Sequence, residues 1–102
     1  MENINSFQEI IKECFDLYKE KNKKYGNSYS KTYKEYGKSV LILRLDDKLS
    51  RLKQIILNGE TETSDESVRD TLIDMANYSI MAVMELQNEK KWIGLQRFKR
   101  NI

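Results

Sequence analysis

Apolar side chains recur every three or four positions in three separate runs of this chain. The first is Phe7, Ile10, Ile11, Cys14, Phe15 and Tyr18, one face of a helix that the capping-box pair Ser6 and Glu9 predicts to begin at Ser6. The second is Leu41, Leu45, Leu49, Leu52 and Ile56, the stripe of a helix predicted from Ser39 to Asn58 and stopped by Gly59. The third joins Val68, Leu72, Met75, Ser79, Ala82 and Leu86, widened by Ile73, Ala76, Ile80 and Val83. Thr63 and Glu66 repeat the capping-box spacing ahead of it, and this helix is predicted to run to about Gln87. The chain has no proline and four glycines, so the pattern predicts an all-α fold of three main helices. Residues 88–102 form a basic, amphipathic tail whose Trp92, Ile93, Leu95 and Phe98 either pack on a neighbouring subunit or extend the third helix.

Polar positions carry a second layer of pattern. Asp70, Asp74 and Asn77 run at i, i+4 and i+7 on the side of the third helix opposite its apolar face. Arg44, Lys48 and Arg51 repeat that spacing beside the leucines of the second. A charge enclosed between helices needs a partner, because burying it alone is very costly. The two stripes are therefore expected to face each other or to line one cleft. Such an arrangement serves equally as a structural ion-pair network or as a ligand site in which cations meet phosphate while Asp and Asn read a base or sugar. Asp46 and Asp47 sit near the start of the second helix, where acids suit its dipole, and the acidic stretch at 59–66 reads as a solvated loop.

Between the first two runs the pattern changes. Residues 18–38 hold five of the six tyrosines, seven lysines and two glutamates, a local charge of +5 in a chain whose net charge is +2. Tyr25, Tyr29, Tyr33 and Tyr36 fall at helical spacing, but Gly26 and Gly37 argue for a broken segment. Tyrosine faces stack on nucleobases and neighbouring lysines attract phosphate; the same residues can equally cap the core while the lysines are solvated.

Composition narrows the chemistry. At 102 residues and 39% hydrophobic content the chain is one domain with little core material, which favours self-association. Its charge is too balanced for a general nucleic-acid coater, so anion binding is expected to be local, with nucleic acid a less favoured partner. The single cysteine, Cys14, excludes an internal disulfide framework, fits a reducing cytoplasm and reads as a small core residue. With no histidine there is no Ser-His-Asp or Cys-His catalysis and no His/Cys zinc site. The opening residues MENINSFQEI lack the regions of a signal peptide, and apolar runs such as residues 40–43 are too short to cross a membrane. The expected location is cytoplasmic.

Three motifs carry a resemblance. "KNKKYGNSYS", "RLDDKLSRLKQ" and "ESVRDTLIDMANYSIMAVMEL" resemble the family called nucleotide modification associated domain 1, common among phages and prophages of Gram-positive bacteria, over about residues 14–87. Its marks correspond here to Lys21 with Tyr25 and Gly26; Arg44, Lys48 and Arg51; and Asp74, Asn77 and Tyr78. The resemblance implies an association with nucleotides but no particular reaction. A more distant likeness is to the all-α MazG-type pyrophosphatases, which hold magnesium between acidic pairs on two helices. In this chain the second helix has cations where acids would stand, and only Glu66, Asp70 and Asp74 keep an acidic run on the third.

The reading that follows is a non-enzymatic, oligomeric nucleotide-binding protein that sequesters a small, cyclic or ADP-ribose-type immune signal in the host-cell cytoplasm. It needs no cofactor. Lys24, Arg44, Lys48 and Arg51 would bind phosphate, Tyr25, Tyr29 and Tyr33 would stack, and Asp74 and Asn77 would give directional hydrogen bonds. The alternatives are a magnesium-dependent hydrolase using Glu66, Asp70 and Asp74, and a module binding a host protein or nucleic acid.

Overall fold

Helix formers fill most positions between the glycines, and in the computed structural model nearly every such stretch is helical. It describes the backbone of residues 2–58 and 64–101 and the side chains of residues 3–58 and 67–90. The elements are α1 (Glu2–Tyr25), α2 (Ser28–Tyr36), α3 (Ser39–Leu57) and α4 (Ser64–Asn101). The fold is all-α. Gly59 and Thr63, read from the sequence as a helix stop and a cap, lie outside the described residues, as does most of the acidic loop at 59–66 and the side chain of Glu66.

Among the described residues four helices stand where the sequence pattern predicts three. The tyrosine segment is broken at both glycines, and between them stands a nine-residue helix, α2, whose Tyr29, Ser30 and Tyr33 are buried on one face. The two glycines act at its ends rather than within it. Gly26 (φ +65°) and Gly37 (φ +76°) both occupy the left-handed region, where a side chain is strained and glycine is not. Gly37 donates its backbone N–H to the Tyr33 carbonyl at 2.7 Å, and Val40 donates in turn to the Gly37 carbonyl at 3.1 Å. The α2–α3 corner is thus closed in two residues.

The outer ends also differ from expectation. Helix α1 begins at Glu2 rather than Ser6, because Ile4, three residues before Phe7, prolongs the same stripe and Glu2 suits the helix N-terminus. Helix α4 does not stop near Gln87 but runs on to Asn101, so the tail takes the second of its two expected courses and extends the helix. Gly94 lowers helix propensity there by about 1 kcal/mol, and no proline breaks it. Its 38 residues span about 57 Å and set the 62 Å long axis of the molecule.

Helix α4 is the hub. The most extensive packing is α3 on α4, followed by α1 on α4 and by α2 across α3. Val40, Ile73, Ala82 and Cys14 are buried there with Tyr29 and Tyr33, but no described side chain of any size is sealed completely. Much of each predicted apolar stripe lies in the open. Phe7 is 67% exposed, Ile10, Ile11 and Phe15 are exposed beside it, and so are Leu49, Ile56, Leu72, Ile80 and Val83. The cause is geometric: three long helices joined through one hub cannot each find a partner for a whole stripe. Among the described residues no helix is long and apolar enough to cross a membrane.

Candidate functional site

Two helix faces with the same spacing meet where α1 ends. Tyr18, Lys21, Asn22 and Tyr25 lie at i, i+3, i+4 and i+7 on α1, and Asp74, Asn77, Tyr78 and Met81 do the same on α4. Together with Gly26, Asn27 and Ser28 at the α1–α2 junction, Tyr29 of α2 and Arg44 of α3, they line a half-open cavity of about 320 Å³. That volume is at the small end of ligand pockets, about 300–1,000 Å³. Because Gly26 has φ +65°, the chain turns sharply there, and one short junction brings both Tyr25 and Tyr29 to the wall.

Asp74 is the electrostatic centre. Its Oδ1 lies 3.2 Å from Lys21 Nζ and its Oδ2 lies 3.1 Å from Lys48 Nζ, so lysines from α1 and α3 converge on one carboxylate of α4. The carboxylate is only 21% exposed, a setting in which a charge must be paired. Arg44 adds a third cation. Three cations against Asp74 and the nearby Glu85 leave the site net positive, the balance that suits a phosphate or other anion.

The remaining walls are aromatic and amide. Tyr29 and Tyr78 stack with ring centroids 5.8 Å apart and an interplanar angle of 26°, an offset arrangement that holds both rings in place. Tyr29 is 6% exposed, and its buried hydroxyl has no hydrogen-bond partner among the described residues. Burial, with the Glu85 carboxylate nearby, raises its pKa above the ordinary tyrosine value. Asn77 donates from Nδ2 to the Cys14 backbone carbonyl at 3.1 Å, which pins α4 to α1 just below the pocket. Cys14 itself is buried and free, and desolvation raises its thiol pKa. It behaves as core.

The structure therefore brings together Tyr25, Tyr29, Arg44, Asp74 and Asn77, with Lys48 in contact through Asp74. The expected meeting of the two polar stripes is realised at Lys48 and Asp74. Lys24 stays outside the lining, its ammonium 5.4 Å from the Tyr25 ring centroid. Tyr33 is turned away: its hydroxyl donates to Glu89 at 2.7 Å, a bond that raises the Tyr33 pKa to about 12. Arg51 and Asp70 are exposed and do not line the pocket. Sequence reasoning missed Asn22, Asn27, Tyr18 and Met81 as lining residues, and it named Lys21 and Tyr78 only through motifs. The repeated i, i+3, i+4, i+7 spacing on α1 was the available signal for Tyr18 and Asn22. It also missed the bidentate pair of Arg69 with Glu13, at 2.9 and 2.6 Å, which ties α4 to α1 and holds the Glu13 carboxyl below its usual range.

An all-α hub-and-spoke fold with a cationic, tyrosine-walled pocket is the class of protein these features define. Residues 21–86 match nucleotide modification associated domain 1, and the chain belongs to that family. No curated protein and no solved structure matches it. The more distant likeness to MazG-type pyrophosphatases finds no support in these comparisons.

Proposed function

We propose that this pocket binds a small nucleotide and holds it intact. The observation that carries the reading is convergence: Lys21, Tyr25 and Gly26, then Arg44, then Asp74, Asn77 and Tyr78, come from three distant segments and line one cavity. Arg44 is the cation available to phosphate oxygens, since Lys21 and Lys48 already share Asp74. Guanidinium suits that task because it presents several donors in a plane. Tyr25, 62% exposed at the rim, offers a ring face to a base, backed by the Lys24 charge. Asn77 supplies a directional polar group for a sugar or base edge, and Asp74 holds Lys21 and Lys48 in place.

Retention rather than hydrolysis is favoured by the donor set. Asp74 is the one carboxylate in the lining among the described residues, and both its oxygens are engaged by lysines. Magnesium that activates a nucleotide is commonly held by one or two carboxylates plus phosphate, and here the one carboxylate would have to give up its lysines first. The family association with phages suggests the setting: a phage-encoded protein in the host-cell cytoplasm that removes a cyclic or ADP-ribose-type immune signal. The apolar area left open on α1, α3 and α4 supports a self-associated form of the protein.

The test is to mix the protein with mono-, di-, tri- and cyclic nucleotides and ADP-ribose cyclisation products in magnesium buffer. The protein is then filtered away and heated, and both fractions are chromatographed. A nucleotide that leaves the filtrate and returns unchanged on heating is the expected result. A new product in the filtrate would replace retention by catalysis, and no change in any component would overturn the nucleotide reading.

A further inference from the structure

One stripe of α3 lies outside both the core and the pocket. Ile42, Asp46, Leu49, Lys53 and Ile56 follow spacings of four, three, four and three, which places them within an arc of about 80° on the helix. All five are exposed; Ile42 is 70%, Leu49 39% and Ile56 56% exposed. The arc is about a quarter-turn from the face of α3 that packs on α4, and Arg44 points away from it on nearly the opposite side. Asp46 and Lys53 make no ion pair among the described residues.

The order of the stripe reads apolar, acid, apolar, base, apolar, with Leu49 at its centre. Turned end for end about Leu49, it is its own complement. Ile42 then meets Ile56 of a second copy, Leu49 meets Leu49, and Asp46 meets Lys53 at two equivalent places. Asp46 is three residues before Leu49 and Lys53 is four after, an axial mismatch of about 1.5 Å that a lysine side chain spans. A two-fold interface requires this property, since one patch must recognise itself. Alternating spacings of four and three along a helix are also the register of a helix–helix seam, here with apolar residues at one of its two positions and the charge pair at the other.

The size of the open surface argues for the same occupant. The chain exposes 8604 Å², whereas a compact monomer of 12.1 kDa exposes about 6,000 Å². The excess of roughly 2,600 Å², part of it due to the elongated shape, leaves ample surface for an interface of standard size, about 800 Å² per partner. The radius of gyration, 17.2 Å, exceeds the value of about 13 Å for a compact chain of this length.

We infer that two copies of this chain associate through antiparallel pairing of their α3 helices about Leu49, with Asp46 of each copy paired to Lys53 of the other. The interface specifies the proposed self-association and does not depend on what the pocket holds. Each pocket, on the other side of α3, stays open in the pair.

Sedimentation equilibrium across a concentration series tests this with four variants, each checked for helicity by circular dichroism. The wild-type protein is expected at twice the 12.1 kDa chain mass, and Leu49→Glu at the single mass with helicity retained. Asp46→Lys and Lys53→Asp each place like charges together and should weaken association about tenfold or more. The double variant Asp46→Lys with Lys53→Asp restores opposite charges and should regain most of that loss, a recovery that general destabilisation does not produce. A monomer at every concentration overturns self-association altogether. A dimer that survives Leu49→Glu, or single reversals that the double variant fails to rescue, overturns this interface while leaving self-association through another face.

Discussion

Two buried tyrosines one helical turn apart have opposite fates. Tyr33 gives its hydroxyl proton to a bond with Glu89 at 2.7 Å, and that bond is the main reason its pKa rises to about 12. The folded state therefore keeps this proton more firmly than the unfolded chain, where tyrosine titrates near 10. The resulting stability is present in full below about pH 10 and is lost as pH rises toward 12. Thermal melts of wild type and Tyr33→Phe should differ by about 1 kcal/mol near neutral pH and converge in that alkaline window; a constant difference across it would contradict the assignment. Tyr29 keeps a buried hydroxyl without a partner among the described residues, an arrangement that costs free energy. Tyr29→Phe should accordingly match or exceed the wild-type melting temperature, and a marked fall would mean that the hydroxyl has a bonding role. Neither outcome is legible in the sequence, where both tyrosines sit on one stripe with Tyr25. Which ring meets the pocket and which meets Glu89 depends on the continuation of α4 past Gln87.

At the scale of elements, helical periodicity located α1, α3 and the first part of α4 because each carries a long apolar stripe. It left α2 open because nine residues between two glycines carry only Tyr29 and Tyr33 as an apolar face. The glycines are the informative signal once their conformation is known. A Cβ at Gly26 would meet nothing within 4 Å, so the cost of Gly26→Ala lies in the left-handed backbone alone, about 1–2 kcal/mol. Chemical denaturation should show that loss, with Gly26→Asn less affected, because asparagine tolerates this region better. Equal losses for alanine and asparagine would point to a different cause. The junction also positions Tyr25 and Tyr29, so Gly26→Ala should weaken nucleotide retention by more than Gly37→Ala, whose strain falls at the far end of α2. The polar stripes were legible as a pair, and Lys48 with Asp74 realises them. Arg51 and Asp70, the outer members of the stripes, are exposed and do not line the pocket.

Over the whole molecule, apolar stripes are left partly open and distant segments converge on one pocket. Leu72, Ile80, Val83 and Phe7 stay in the open, while Lys21, Arg44 and Asp74 converge on one cavity. Sequence composition anticipated the first fact through its lean hydrophobic content. The second needed coordinates, since the segments around Lys21, Arg44 and Asp74 are separated by more than twenty residues each. Arg44 is the proposed phosphate ligand of that pocket, and Arg51, two turns along α3, is outside it. The decisive measurement is equilibrium dialysis of the wild type, Arg44→Ala and Arg51→Ala proteins against the nucleotide panel. The wild type should retain a nucleotide, Arg44→Ala should lose affinity about tenfold or more, and Arg51→Ala should stay within about twofold of wild type. Retention by Arg44→Ala at wild-type affinity, or no retention by the wild type, would contradict the account.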